Sequence, residues 1–125
     1  MKLFLLQLPI QGHDFFFSNE NIPLAASYLQ RIAEAQGIDA ELLPNPLMSY
    51  GSDQAILRFL VDSRPDMVAI SCYLWNVERS LFLARQLKRH LPTCKIVFGA
   101  FSRFTFHPVP QDVIFTCDLN NNCSI

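Results

Sequence analysis

The stretch PDMVAISCYLWNVERSLFLARQLKRH, residues 65–90, decides the fold. It opens with DMVAISC (66–72), a short apolar run without helical period, which reads as a buried strand. It closes with VERSLFLARQLKRH (77–90), where Val77, Leu81, Ala84 and Leu87 recur at helical spacing and Leu91 continues the series. Asn76 is the expected N-cap of this helix, and Pro92 ends it. Lys88, Arg89 and His90 crowd its last turn, where they offset the helix dipole. Glu78 suits the first turn; Arg79 beside it does not, which predicts a carboxylate or phosphate partner for it. Between strand and helix lies SCYLWN (71–76), a turn that carries Tyr73, Leu74 and Trp75, the single tryptophan of the chain.

Working outward, KLFLLQL (2–8) is a second continuous apolar run, stopped by Pro9. Residues 10–21 read as a loop. Leu24, Ala25, Tyr28, Leu29, Ile32 and Ala33 then recur at helical spacing and predict a helix with that face inward. Asn21 is its expected N-cap, Pro23 fits its first turn, and Gly37 suits its C′ position. DAELL (39–43) reads as a short strand, ended by Pro44 and Pro46. Ser52 is expected to cap a helix with Ala55, Ile56, Phe59 and Leu60 inward, which Pro65 ends. KIVFG (95–99) is the fourth strand.

Strands that alternate with helices in this way imply an α/β fold with a parallel sheet covered on both faces. Right-handed crossovers reduce the choices, and the flavodoxin-like (Rossmann-like) three-layer order is expected. In that order the first and third strands are neighbours and a crevice opens at their C-terminal ends. The loops after Leu8 and Ser71 line it. Residues 1–99 make up this domain. Residues 100–125 form a divergent tail that lacks the expected fourth helix. In the tail Phe101, Phe104 and Phe106 alternate as an edge strand would, and VIFTC (113–117) offers a fifth strand. The sheet is therefore expected to be incomplete at its C-terminal side, and an uncovered face predicts self-association.

The chain has 125 residues and a formal charge of −1. One domain is expected, with no basic excess to neutralise a phosphate backbone, so nucleic acid is not the expected partner. The apolar stretches are too short for a membrane span or a signal peptide, and a cytoplasmic location is expected. Cys72, Cys94, Cys117 and Cys123 contain no C-x-x-C pair and suggest no zinc site. A disulfide between Cys117 and Cys123 is not expected in that compartment.

Residues 10–21 hold no G-x-G-x-x-G and no P-loop, which speaks against a dinucleotide or nucleoside triphosphate. His13 sits at the rim of the crevice. Phe15, Phe16 and Phe17 either fold back on the core or form one wall of a pocket for a large flat ligand, with Tyr73 and Trp75 opposite. No Ser/His/Asp or Cys/His set occurs at a suggestive spacing, so no catalytic residue is assigned.

PLAASYL (23–29), PDMVAISCYLWN (65–76), VERSLFLARQLK (77–88) and the strand ending VFG (97–99) together resemble the N-terminal cobalamin-binding domain of cobalamin-dependent radical SAM proteins. The resemblance covers roughly residues 1–99. It implies the parallel α/β sheet and a corrin lying over the C-terminal ends of the strands. It implies contacts to cobalamin from Pro9, Gln11 and His13 after the first strand. After the third strand it implies Ser71, Cys72, Tyr73, Leu74, Trp75 and Asn76, with Ser71 or Asn76 bonding the corrin amides. After the fourth it implies Gly99 and Ala100. Departures are visible. The D-x-H-x-x-G pattern of corrinoid proteins with a histidine cobalt ligand is not matched around His13, and Ala100 stands where that family has a second Gly. No metal ligand is assigned. The C-x-x-x-C-x-x-C cluster motif is absent, so an iron–sulfur cluster and S-adenosylmethionine belong to a full-length relative. The resemblance fades after Gly99, as in a chain truncated before the radical SAM barrel or shifted in frame.

The leading expectation is a cobalamin-binding module with no catalysis of its own. The alternative is a cofactor-free protein-interaction domain of the same fold. A small flavodoxin-like enzyme using another nucleotide ranks third for want of phosphate-loop glycines.

Overall fold

A computed structural model of the chain describes residues 1–9, 22–100 and 113–117. Five strands and four helices follow one another along it: β1 (Lys2–Gln7), α1 (Leu24–Ala35), β2 (Asp39–Leu42), α2 (Asn45–Tyr50), α3 (Asp53–Ser63), β3 (Met67–Cys72), α4 (Val77–His90), β4 (Lys95–Ala100) and β5 (Val113–Cys117). The strands form one sheet in the order β2-β1-β3-β4-β5, and every pairing is parallel. This is the expected flavodoxin-like order, and VIFTC supplies its fifth strand.

Alternation along the strands divides the side chains between two faces. Phe4, Leu6, Val68, Ile70, Cys72, Ile96 and Phe98 point to one face. There they pack with Met48 of α2, Ile56 and Leu60 of α3, and Leu83, Ala84 and Leu87 of α4. Phe4 meets Phe59 edge to face, with ring centroids 5.6 Å apart. Leu3 and Leu5 point to the other face, with Met67 and Ala69 packed beside them under Ala26 and Ala33 of α1. β1 is buried through its centre, whereas β3 alternates between buried and half-buried residues. Two-sided burial was expected for both.

The helix boundaries follow from local chemistry. Ser52 accepts a hydrogen bond from the Ala55 amide at 3.2 Å, the expected cap of α3. Gly37 has φ 74°, the left-handed geometry that glycine adopts without a Cβ clash. Arg79 finds the carboxylate predicted for it. Its Nε donates to Asp53 Oδ1 at 2.6 Å, and its Nη2 donates to the Gly51 carbonyl at 2.9 Å. That clamp joins the first turn of α4 to the turn between α2 and α3.

Two expectations need correction. Pro44 and Pro46 do more than end β2: they open α2, with Pro44 at the N-cap and Pro46 in the first turn. Proline is tolerated there because the first helical amides have no partner within the helix. The second correction concerns α1. Leu24, Tyr28, Leu29 and Ile32 were expected to face inward, yet they are 63, 65, 51 and 59% exposed. The helix rests on the sheet through Ala26 and Ala33 instead. Gln30, on the same helix face as those alanines, donates from Nε2 to the Ala40 carbonyl of β2 at 3.1 Å. Asn21, Phe15–Phe17, Phe101, Phe104, Phe106 and Cys123 lie outside the described residues.

Candidate functional site

The helices that follow β1 and β3, α1 and α4, pack on opposite faces of the sheet. Neighbouring strands that part in this way leave a crevice at their C-terminal ends, where open α/β sheets bind ligands. Register places Gln7, Ser71 and Gly99 side by side across β1, β3 and β4 at that end. Gly99 is exposed, and a methyl group added to it meets no atom of the described residues within 4 Å. Ala100 pairs with Cys72 one residue further on.

Beyond β3 the backbone turns through residues 73–76. The Tyr73 and Trp75 rings stack with centroids 4.6 Å apart and planes within 5° of parallel. Trp75 is 51% exposed and Leu74 73%. Asn76 lies beneath them at 1% exposure. Its Nδ2 donates to the Leu8 carbonyl at 2.9 Å and to the Ser71 carbonyl at 3.1 Å, while its Oδ1 accepts the Tyr73 amide at 2.7 Å. Asn76 occupies the N-cap position of α4 but gives the helix no side-chain hydrogen bond. Its amide hydrogens are taken by the protein's own carbonyls.

Cys72 ends β3 as a small buried side chain. It is 1% exposed, within the cluster against α3 and α4, and burial pushes its thiol up to about 11. Its side chain belongs to the core; only its backbone borders the crevice. Burial raises the Cys94 thiol as well. Pro9 is half-buried just after β1. Gln11 and His13 lie outside the described residues. Among the described residues, no group of three or more His, Cys, Asp or Glu side chains could hold a metal ion, and no helix is long and apolar enough to cross a membrane. A shallow groove of about 590 Å3 runs along α3 from Ser52 to Asp62, with His90 at its side. None of the crevice residues lines it.

Gln7 joins the crevice residues through register rather than through any motif. It interrupts the apolar run that follows Lys2 in the first strand, and strand parity puts it on the same face as Ser71 and Gly99.

The B12 binding domain family model matches residues 17–107. The chain belongs to this family. Among curated proteins, it is 32% identical over 87 residues to 2-(S-pantetheinyl)-carbapenam-3-carboxylate methyltransferase of Streptantibioticus cattleyicolor. That match takes in 62% of the chain and 12% of the relative. It is 28% identical over 99 residues to the cobalamin-dependent radical SAM methyltransferase TokK of Streptomyces tokunonensis, taking in 74% of the chain and 14% of the relative. The chain thus spans about an eighth to a seventh of these proteins' lengths. A crystallised fragment from Peptoclostridium difficile 630, described as a lipoprotein, shares the fold with a TM-score of 0.58 and 12% identity. That alignment covers 94% of this chain and 85% of the fragment.

The residues present fit the large, flat ligand that the family name specifies. A stacked aromatic pair with Trp75 exposed offers apolar area beside the strand ends, and a glycine with open space among the described residues lets a ligand approach the backbone.

Proposed function

We propose that this chain is a cobalamin-binding module with no catalysis of its own. The stacked Tyr73–Trp75 pair, held over the C-terminal ends of β1 and β3 in a B12-binding domain, carries the reading. Trp75, Tyr73 and Leu74 give the corrin an apolar wall. Ser71 and Gln7 offer polar groups to its amides, and Gly99 and Ala100 border the path of its nucleotide tail. Pro9, Gln11 and His13 complete the rim on the β1 side. Cobalamin, when bound, supplies a cobalt centre that carries a methyl group. The two curated relatives are both named as methyltransferases, which supports a role for the module within a longer methyl-transfer system. In that reading the iron–sulfur cluster and S-adenosylmethionine belong to parts of such a system outside these residues.

The test is titration of the purified chain with hydroxocobalamin and methylcobalamin, followed by visible spectroscopy after desalting. Retained corrin absorbance is expected, weakened by Trp75→Ala and strengthened by Ala100→Gly. A folded chain that retains no corrin overturns the reading. It would favour the second one, a protein-interaction domain, which the exposed Leu24, Tyr28, Leu29 and Ile32 of α1 support.

A further inference from the structure

Two buried polar side chains stand at the start of α4, and they differ. The Ser80 hydroxyl, at 0% exposure, has no hydrogen-bond partner among the described residues. Asn76, at 1%, has both amide hydrogens and its carbonyl engaged. Its three partners are separate points of the crevice: the exit of β1 at Leu8, the end of β3 at Ser71, and the first turn residue, Tyr73. The turn is also closed in the reverse direction, since the Asn76 amide donates to the Tyr73 carbonyl at 3.2 Å. Tyr73 and Asn76 therefore hold each other reciprocally, and Trp75 is carried between them.

We propose that Asn76 is a positioning residue that fixes the Tyr73–Trp75 stack in its ligand-facing arrangement before any ligand arrives. A side chain with two donors and one acceptor is required at this point. The donors meet two strand-end carbonyls that a helix-capping Ser or Asp could not both satisfy. Aspartate would set a carboxylate against both of those carbonyls. Leucine would leave all three backbone groups without their present partner. An aromatic platform ordered in advance removes the ordering penalty from the binding step. The ligand's identity rests on the cobalamin reading; the role of Asn76 does not.

Trp75 is the only tryptophan, so its near-ultraviolet circular dichroism and fluorescence report this turn alone. The experiment compares the full chain with Asn76→Asp and Asn76→Leu, each checked for a cooperative melt. Both variants are expected to lose most of the Trp75 dichroism in the ligand-free state. Their hydroxocobalamin dissociation constants should rise roughly tenfold or more, as for lost buried hydrogen bonds. A folded variant that keeps the parent's Trp75 spectrum overturns the proposal. Should both variants fail to fold, hydrogen exchange in the unsubstituted chain decides. The Tyr73 amide is expected to be protected, and exchange at the free-peptide rate overturns the proposal. If the parent takes up no hydroxocobalamin, the cobalamin reading falls, and the ligand-free Trp75 spectra still decide the role of Asn76.

Discussion

On one face of the sheet, Phe4, Ile70 and Phe98 meet α2, α3 and α4 and fall to 1% exposure or less. On the other, the described cover is α1 alone, which touches the sheet through two alanines while Tyr28 and Ile32 remain 65 and 59% exposed. The same strands serve both faces. The contrast comes from connectivity: right-handed crossovers from β2 to β3 and from β3 to β4 put α2, α3 and α4 on one side, and among the described helices α1 alone, between β1 and β2, lies on the other. Stability and ligand geometry therefore have different seats. The first face supplies the packed core, and the second leaves room beside Ser71 and Gly99.

Adjacent residues of β4 test this contrast most strongly. Phe98→Ala should lower the unfolding free energy by about 3–5 kcal/mol, as for other buried phenylalanines. Val97→Ala, on the opposite face, should cost about 1 kcal/mol or less. Equal losses in urea denaturation would break the comparison.

The Cys72 thiol gives the next effect. Its folded value of about 11 lies above the ordinary 9.0 because burial disfavours the thiolate. The neutral thiol therefore contributes stability that is full below pH 9 and is lost as the pH rises to about 11. The loss is at most on the order of 3 kcal/mol. Melts of Cys72→Ala should decline less than those of the parent over this window. Cys94, raised in the same direction, is present in both proteins and cancels from the difference. Parallel declines would mean that the dense face admits water at its ligand end.

The smallest effect is expected on α1. Ile32→Glu should change stability by about 0.5 kcal/mol or less and reduce association at high concentration, read by size-exclusion chromatography. A loss of several kcal/mol would mean that this flank is covered in solution, and the contrast between the faces would narrow.

What the sequence disclosed follows the same division. The strands with continuous apolar runs, and α4 with its caps and dipole charges, were legible because local signals agreed with the final packing. Arg79 in a first helical turn correctly announced a carboxylate partner. The rotation of α1 was not legible, since periodicity reveals that a helix has an apolar stripe but not whether that stripe meets the sheet. Here the face that meets the sheet is the one carrying Ala26, Gln30 and Ala33. Helix α2 was hidden because its six residues contain a proline that was read only as a strand stop. At the site, the turn residues stood out by type. The work of Asn76 could not be read, because its partners at Leu8 and Ser71 are brought to it only by the parallel pairing of β1 with β3.

Strand β2 has a consequence for how copies of the chain meet one another. It is an edge strand of only four residues, DAEL, and it carries two exposed carboxylates, Asp39 and Glu41. An incoming strand would find a short template and two negative charges, the arrangement by which sheets resist growth edge to edge. Any meeting of copies on this side of the molecule is thereby directed away from backbone pairing and toward the apolar flank of α1.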